Sequence, residues 1–513
     1  MGRSSFDAVV VGSGPAGSVA ALVLARGGAK VALVDKAEFP RDKACGDLVG
    51  PRGVQLLADL GLTDLGPTDL GPTDLGLEPA GGPRTRTVSS LYPYGIQTCH
   101  SSQSEPSSSQ TGRNPHEGVG EMVVLGPTGG RALLRARAGT TYPGQGWATP
   151  RRSFDDWLRR AALDAGAEPV HARAAGVSHH GVALDDDRLI LADAIIGADG
   201  ANSAVATSAG LVDPTRVLWG FAIRAYLDQR VELPVISFWD PTPGRGFPGY
   251  GWIFPLPGGR ANAGLGVGAG ADRRRGAQAT RQLDAFLAHL TSAGLISETA
   301  LAGHGHGNGQ RHGHDNGHGQ RTERLGGWLK MGMVGTTPAA GRVLLVGDAV
   351  GLVNPLQGEG IAEAMASGRA AAEAILTTPA TAAATYSMAL KRRYLAYHSA
   401  TAALQQTLID RPRLVSALGR LLTAPGVGRL VGGGWGIYWN DLLDGAAPGV
   451  DRRIASAFSL AMRAATSHGA SRRWLSEALA RSSELATSSS SELTTSSTAG
   501  GLSEPARRGG PGR

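Results

Sequence analysis

The chain's 513 residues are 42% hydrophobic and 18% charged, enough apolar text for more than one core. A net charge of +7, spread without a long basic block, argues against nucleic-acid binding and suits an anionic cofactor or an acidic membrane surface. Cys45 and Cys99 are the only cysteines and no CxxC occurs, which excludes a disulfide scaffold and predicts a reducing, cytoplasmic compartment.

Met1-Gly2-Arg3 leads straight into the first predicted strand, leaving no room for a signal peptide. No run of about 18 apolar residues occurs, so no transmembrane helix is expected. An apolar strand pattern at 8–11 enters Gly12-Ser13-Gly14-Pro15-Ala16-Gly17. An Ala/Leu-rich helix at 18–26 follows, Gly27-Gly28 breaks it, and a second strand at 31–34 ends on Asp35. Strand, glycine turn, helix, strand and acid in this order form the dinucleotide-binding βαβ unit. Gly12 permits the tight turn, Gly14 lets a pyrophosphate approach the backbone, and Gly17 lets helix and strand pack closely. The phosphate sits on the free N–H groups of the helix N-terminus, and Asp35 accepts from a ribose hydroxyl.

A polar loop, Phe39-Pro40-Arg41-Asp42-Lys43-Ala44-Cys45-Gly46-Asp47, comes next, then a helical pattern at 53–60. Residues 63–76 repeat Thr-Asp-Leu-Gly, and residues 100–118 are Ser-, Gln- and Gly-rich; both read as flexible insertions. Order is expected again near Val123. Pro150-Arg151-Arg152-Ser153-Phe154-Asp155-Asp156-Trp157-Leu158 opens an amphipathic helix running to about Ala165. Residues 219–268 are strand-rich and aromatic, the pattern of a second sheet. Residues 303–320 hold five histidines among Gly, Asn and Gln. They read as a low-complexity loop and not as a metal site, since a rigid supporting shell is missing. A buried strand pattern at 342–348 leads into a long Ala-rich helix at 361–376. Residues 383–480 are mostly helical in pattern, and the Ser/Thr/Gly/Pro-rich tail from 481 is expected to be disordered.

Three segments narrow the dinucleotide to FAD: Gly14-Pro15-Ala16-Gly17, then Gly197-Ala198-Asp199-Gly200-Ala201-Asn202-Ser203, then 347–361. In the last, Asp348 ends a strand, where it can meet a ribityl hydroxyl. A constrained loop (Pro355, Gly358, Glu359, Gly360, Ile361) then presents N–H groups at a helix N-terminus, where they stabilise negative charge on a reduced flavin. In order and spacing these stretches resemble para-hydroxybenzoate-hydroxylase-like flavoproteins. That resemblance implies an Arg-x-x-Phe-Asp arginine on FAD, which is Arg151 here. Gly347, Lys36, Lys43, Cys45 and Gly46 complete the set expected on the cofactor.

Within that fold, the 39–47 loop, Pro248-Gly249-Tyr250-Gly251-Trp252-Ile253-Phe254-Pro255 and Asn354-Pro355-Leu356-Gln357-Gly358-Glu359-Gly360 resemble the geranylgeranyl reductase family. The resemblance covers roughly 5–60, 120–300 and 325–440. It implies saturation of isoprenoid C=C bonds, with Tyr250, Trp252, Phe254 and Pro255 lining the substrate cavity and Cys45 facing it near the flavin, as proton donor or gate. Alternation alone puts the three aromatics on one strand face, which is equally the pattern of sheet core. Leu256 stands where lysine often follows Phe-Pro in relatives with charged substrates. That points to the branch acting on the tail of menaquinone, unless Arg260 supplies the missing cation.

The expected fold class is α/β: a Rossmann-type FAD-binding domain (1–90, 151–215, 333–380) interleaved with an antiparallel-sheet substrate domain (91–150, 216–332). A C-terminal helical region (381–480) and the tail (481–513) follow. The expected activity is FAD-dependent reduction of a polyprenyl chain, on menaquinone first and on a geranylgeranyl phospholipid or diphosphate second. A flavin monooxygenase and a non-catalytic flavin protein are the rival readings. No second complete GxGxxG unit appears, so NAD(P)H would bind only transiently, and a quinol or ferredoxin is an equal candidate for the electron donor. Trp435, Tyr438 and Trp439, near Arg420 and Arg429, either rest peripherally on the inner face of the membrane or cap the FAD domain.

Overall fold

The computed structural model describes residues 5–62, 117–135, 143–178, 180–242, 245–302 and 324–426. The 63–76 repeat, the 303–320 segment, Cys99, the Trp435–Trp439 region and the tail lie outside the described residues.

The chain opens with β1 (Ser5–Val11), α1 (Pro15–Arg26), β2 (Val31–Asp35), β3 (Leu48–Val49) and α2 (Pro51–Asp59). It continues with β4 (Glu117–Val119), β5 (Glu121–Leu125), β6 (Arg131–Arg135), β7 (Gly146–Ala148), α3 (Arg151–Asp164), β8 (Glu168–His171), β9 (Ala174–Val177), β10 (Gly181–Leu184), β11 (Leu189–Gly197) and α4 (Ala204–Ser208). Then come β12 (Leu218–Leu227), β13 (Val235–Ser237), β14 (Gly249–Leu256), β15 (Arg260–Gly270), α5 (Gly276–Ser292), α6 (Thr299–Ala302), β16 (Leu325–Met331), β17 (Ala339–Ala340) and β18 (Val343–Leu345). Four helices close the described chain: α7 (Ile361–Thr377), α8 (Ala382–Leu390), α9 (Ala396–Asp410) and α10 (Arg413–Leu422).

The strands fall into two large sheets and a small one. The first runs β17-β18-β11-β1-β2-β8, with β10 and β9 attached through β11. β1 pairs in parallel with both β11 and β2, and Ala8, Val9 and Val10 are fully buried, as a central strand covered on both faces requires. α1 starts at Pro15, three residues earlier than the apolar pattern suggests, because a proline at the first helical position loses no hydrogen bond. α1 and α7 approach so closely that a Cβ on Gly368 would collide with the Ala16 carbonyl, which explains the Ala/Gly richness of both helices.

The second sheet runs β16-β12-β15-β14-β13-β5-β6, antiparallel except where β13 meets β5. One face takes α5, whose Leu283, Phe286, Leu287 and Leu290 are buried against Trp239, Ile253 and Leu265. The opposite face carries Tyr250, Trp252, Phe254 and Leu256 with Ala222 and Ile236. β3, β7 and β4 form the third sheet. The insertion expected to reach residue 118 therefore ends sooner. Val119 is buried in the same cluster as Trp252 and Phe254, and that burial fixes β4 against β7.

Among the described residues no helix is long and apolar enough to cross a membrane. α9 buries His398, whose Nδ1 has no hydrogen-bond partner among the described residues and whose ring meets those of Tyr394 and Tyr397. Burial lowers its pKa to about 3, against about 6.5 in an unfolded chain. The unfolded state thus takes up a proton that the folded state refuses, and stability is lost as pH falls from 6.5 toward 3. His398→Leu should recover up to about 4 kcal/mol of that loss. Urea midpoints at pH 7 and pH 4.5 should therefore differ less in the variant than in the parent.

Candidate active site

The glycine turn after β1 is built by contact. Gly12 has φ +104°, and a Cβ there would strike the Ala198 carbonyl of the second motif. A Cβ on Gly17 would fall on the Gly12 carbonyl oxygen. Gly14 is open instead: the Cβ it lacks would meet only the Arg41 guanidinium, at 3.4 Å. The N-terminus of α1, with Pro15 and Ala16 buried, thus faces a cation across a gap without a side chain, a donor set that fits the pyrophosphate of FAD. Arg41 is a residue the motif reading missed.

The acids of the three motifs are more occupied than the sequence suggests. Asp35 accepts the Ser13 N–H at 2.6 Å and the Ala37 N–H at 2.9 Å, bracing the turn. Each of its oxygens keeps a lone pair that a ribose hydroxyl can use. Lys36 beside it is exposed. Asp199 is turned onto the start of α4, accepting from the N–H groups of Ala204 at 2.6 Å and Val205 at 3.1 Å, while Gly200 (φ +81°) lies open. Asp348 stands in a single 3-10 turn, Gly347–Ala349, after β18 rather than at the strand's end, and pairs with Lys43 at 3.0 Å. Lys330, buried at the end of β16, donates to the Ala349 carbonyl at 2.9 Å, and burial lowers its amine to about 8 against the pull of Asp199 and Asp348.

The loop before α7 closes on itself. Asn354 Oδ1 accepts from Leu356 N–H at 3.0 Å and Gln357 N–H at 3.2 Å, and Gly358 N–H reaches the Asn354 carbonyl at 2.9 Å. Pro355 is buried within it, Gly360 caps α7, and Ile361 packs in the core beside Cys45. Glu359 faces Gly50; burial and then the neighbouring Glu363 push its carboxyl up to about 8, with Arg52 opposing.

The 39–47 loop joins the two large sheets. Toward α3, Asp155 holds Arg151 through two bonds of 2.7 Å and Arg41 at 2.7 Å. Burial raises the Asp155 carboxyl, but the two guanidiniums outweigh it and keep its pKa below the usual range. Arg151, expected on FAD, also hydrogen-bonds Cys45. Burial lifts the Cys45 thiol above its ordinary value despite Arg151, so the thiol carries its proton at neutral pH. Toward the second sheet, Arg224 pairs with Asp42 and packs over the Tyr226 ring at 3.7 Å. Fully buried Asp47 accepts from Tyr226 Oη at 2.7 Å and Asn262 Nδ2 at 2.9 Å. Burial raises its carboxyl to about 6, with Arg224 the largest opposing influence.

The aromatic stripe meets both loops. Trp252 stacks on Phe254 with centroids 6.2 Å apart, and Tyr250 lies 6.3 Å away on the other side. Tyr250 donates to the Gln357 carbonyl of the third-motif loop. A Cβ on Gly46 would come within 2.8 Å of the Phe254 ring, so the Cys45 loop lies directly on the aromatic face. Pro255 continues β14 and pairs with Ala261. Gly264 has no side chain because Trp252 fills that space, a signal a glycine inside a strand carries in the sequence itself.

Comparison with known proteins agrees with this geometry. An FAD binding domain model matches residues 5–69. The menaquinone reductase of Mycolicibacterium smegmatis is 32% identical over 382 residues, 72% of this chain and 75% of that protein. Digeranylgeranylglycerophospholipid reductase 2 of Methanopyrus kandleri is 30% identical over 384 residues, 72% of this chain and 76% of its own length. Among solved structures, a geranylgeranyl bacteriochlorophyll reductase-like protein from Thermoplasma acidophilum superposes with a TM-score of 0.55 at 20% identity, covering 84% of this chain and 99% of that one. With its glycine turn, its acids and its aromatic face in these positions, the chain belongs to the geranylgeranyl reductase family of FAD-dependent oxidoreductases.

Proposed function

We propose that the protein saturates C=C bonds of a polyprenyl chain, with menaquinone as its substrate. The observation that carries this reading is the junction of the aromatic stripe with the loops of the cofactor motifs: Tyr250 on the Gln357 carbonyl and the Cys45 loop on Phe254. FAD, when bound, supplies the hydride. The chain's own residues do the rest. Gly12, Gly14, Gly17, Arg41, Asp35 and the 347–361 loop would hold the cofactor, with Asp199 bracing the start of α4 beside it. Tyr250, Trp252 and Phe254 offer an isoprenoid chain an apolar aromatic face and exclude water. Cys45, held protonated beside Arg151 on the loop that rests on Phe254, would carry a proton toward that face.

Menaquinone is favoured over a charged lipid by the cations around the wall. Leu256 is buried after Pro255, and Arg260 is paired with Asp228 at 3.2 Å while covering Tyr226. Arg224 and Lys43 also have carboxylate partners. A neutral quinone head needs none of them. The name of the M. smegmatis relative supports the same substrate, and that of the Methanopyrus protein supports the phospholipid alternative. NAD(P)H, a quinol or ferredoxin returns electrons to the cofactor. Leu414, Leu418 and Leu421 line one exposed face of α10 beside Arg413 and Arg420, which supports peripheral contact with the inner, anionic membrane surface where the lipid lies.

Mass spectrometry of lipids from cells with and without the protein tests the substrate: the menaquinone tail should lose its saturated species while phospholipid chains stay unchanged. Cys45→Ala should keep FAD and lower kcat about 100-fold, the scale of a lost general acid. Unchanged turnover with FAD bound would remove Cys45 from the reaction.

A further inference from the structure

We infer that Asn262 is a positioning residue that clamps the Cys45 segment to the aromatic wall, so that the thiol and the Trp252 face keep one relative geometry. The inference deepens the polyprenyl-reductase reading and rests on it for its turnover consequence alone.

Asn262 lies on β15, paired across the sheet with Tyr226 on one side and Phe254 on the other. It is fully buried, and each of its polar atoms is used. Oδ1 accepts from the Trp252 indole Nε1 at 2.9 Å. Nδ2 donates to the Cys45 carbonyl at 2.7 Å and to Asp47 Oδ2 at 2.9 Å. An indole N–H only donates, while a carbonyl and an ionised carboxylate only accept, so the amide fits in one orientation. A single side chain therefore ties the indole to the Cys45 backbone carbonyl before Gly46 and to the Asp47 carboxylate after it.

The segment being held is strained and is pinned a second time. Asp47 has φ +60°, a left-handed conformation that few residues other than glycine adopt, and its carboxylate and the Cys45 carbonyl both accept from Asn262 Nδ2. Arg224, two residues before Tyr226 on the same face of β12, grips Asp42 at the other end of the segment. Asn262→Leu keeps the side chain's size and removes all three bonds. It leaves an indole N–H and a carbonyl unpaired in a buried place and takes one of two donors from Asp47 Oδ2, Tyr226 Oη remaining, so the strained turn can relax away from the wall.

The test uses flavin-loaded protein in a Cys99→Ser background, where Cys45 is the only thiol. Iodoacetamide alkylation is followed against pH, and kcat and KM are measured with a polyprenyl quinol. For Asn262→Leu with flavin retained, alkylation at neutral pH should rise about tenfold as the released segment brings the thiol further into solvent. kcat should fall about 100-fold, the cost of a misplaced reacting group, while KM changes less than about threefold. If Asn262→Leu does not retain flavin, Asn262→Ser decides: its hydroxyl serves one partner, and about threefold faster alkylation is expected. An alkylation profile within about twofold of the parent, in whichever variant holds flavin, overturns the clamp. Should the parent fail to turn over any polyprenyl substrate, the alkylation shift still upholds the clamp, and only the proposed activity falls.

Discussion

Gly17→Val should yield a protein that purifies without flavin. The Gly17 Cβ position lies 1.8 Å from the Gly12 carbonyl oxygen and 3.0 Å from the Ala198 side chain. Valine can enter only if α1 moves off β1, which withdraws the helix N-terminus from the turn that faces Arg41. Overpacking of this kind costs about 1–3 kcal/mol or more in stability, and the anion site is lost with it. Flavin absorbance per chain should fall below about one tenth of the parent's, since displacing the cradle costs several kcal/mol of binding and each 1.4 kcal/mol is tenfold. Gly28→Ala is the matched control. Gly28 has φ +84°, but nothing lies within 4 Å of its Cβ position, so strain there should cost about 1 kcal/mol and leave flavin bound. A stoichiometric flavin complex of Gly17→Val would place the cofactor elsewhere.

Trp252→Ala should have the second-largest effect, with the opposite signature: flavin stays and turnover goes. The indole is buried, stacks on Phe254 and occupies space that Gly264 leaves free, so truncation opens a cavity in the wall. The stability cost is about 3–5 kcal/mol, or roughly 3–5 °C in melting temperature for a chain of this size. The catalytic cost comes from the lost isoprenoid surface and from Asn262 Oδ1 left without its donor. kcat/KM for a polyprenyl substrate should fall about 100-fold or more. Trp252→Phe keeps the stacking and loses one hydrogen bond, and should cost less than about tenfold. A Trp252→Ala enzyme with the parent's kcat/KM would make the stripe ordinary sheet core.

Much of this was legible because it is local. The glycine turn and its flanking strands depend on contacts within about thirty residues, and the alternation of Tyr250, Trp252 and Phe254 follows from strand period alone. The acids were read less well. Asp35 and Asp199 have motif positions, but a carboxylate next to unpaired backbone N–H groups binds those groups first, as Ser13, Ala204 and Val205 show. Asn262, Arg224 and Asp47 were invisible as a set. A polar residue inside a strand gains its meaning from a partner about 180 to 215 positions away, as with Asn262 and Asp47, and one sequence holds no record of that pairing. Arg41 reads as loop charge until α1 is folded against it.

The central claim is tested most directly without oxygen. The flavin-loaded protein is reduced with dithionite, freed of excess reductant and mixed with menaquinol, whose reduced head cannot take the electrons. The account predicts that oxidised-flavin absorbance returns anaerobically and that the polyprenyl tail gains two hydrogens for each bond reduced, by mass spectrometry. Flavin that stays reduced with menaquinol and reoxidises only when oxygen is admitted, with an oxygen atom entering the product, would contradict it.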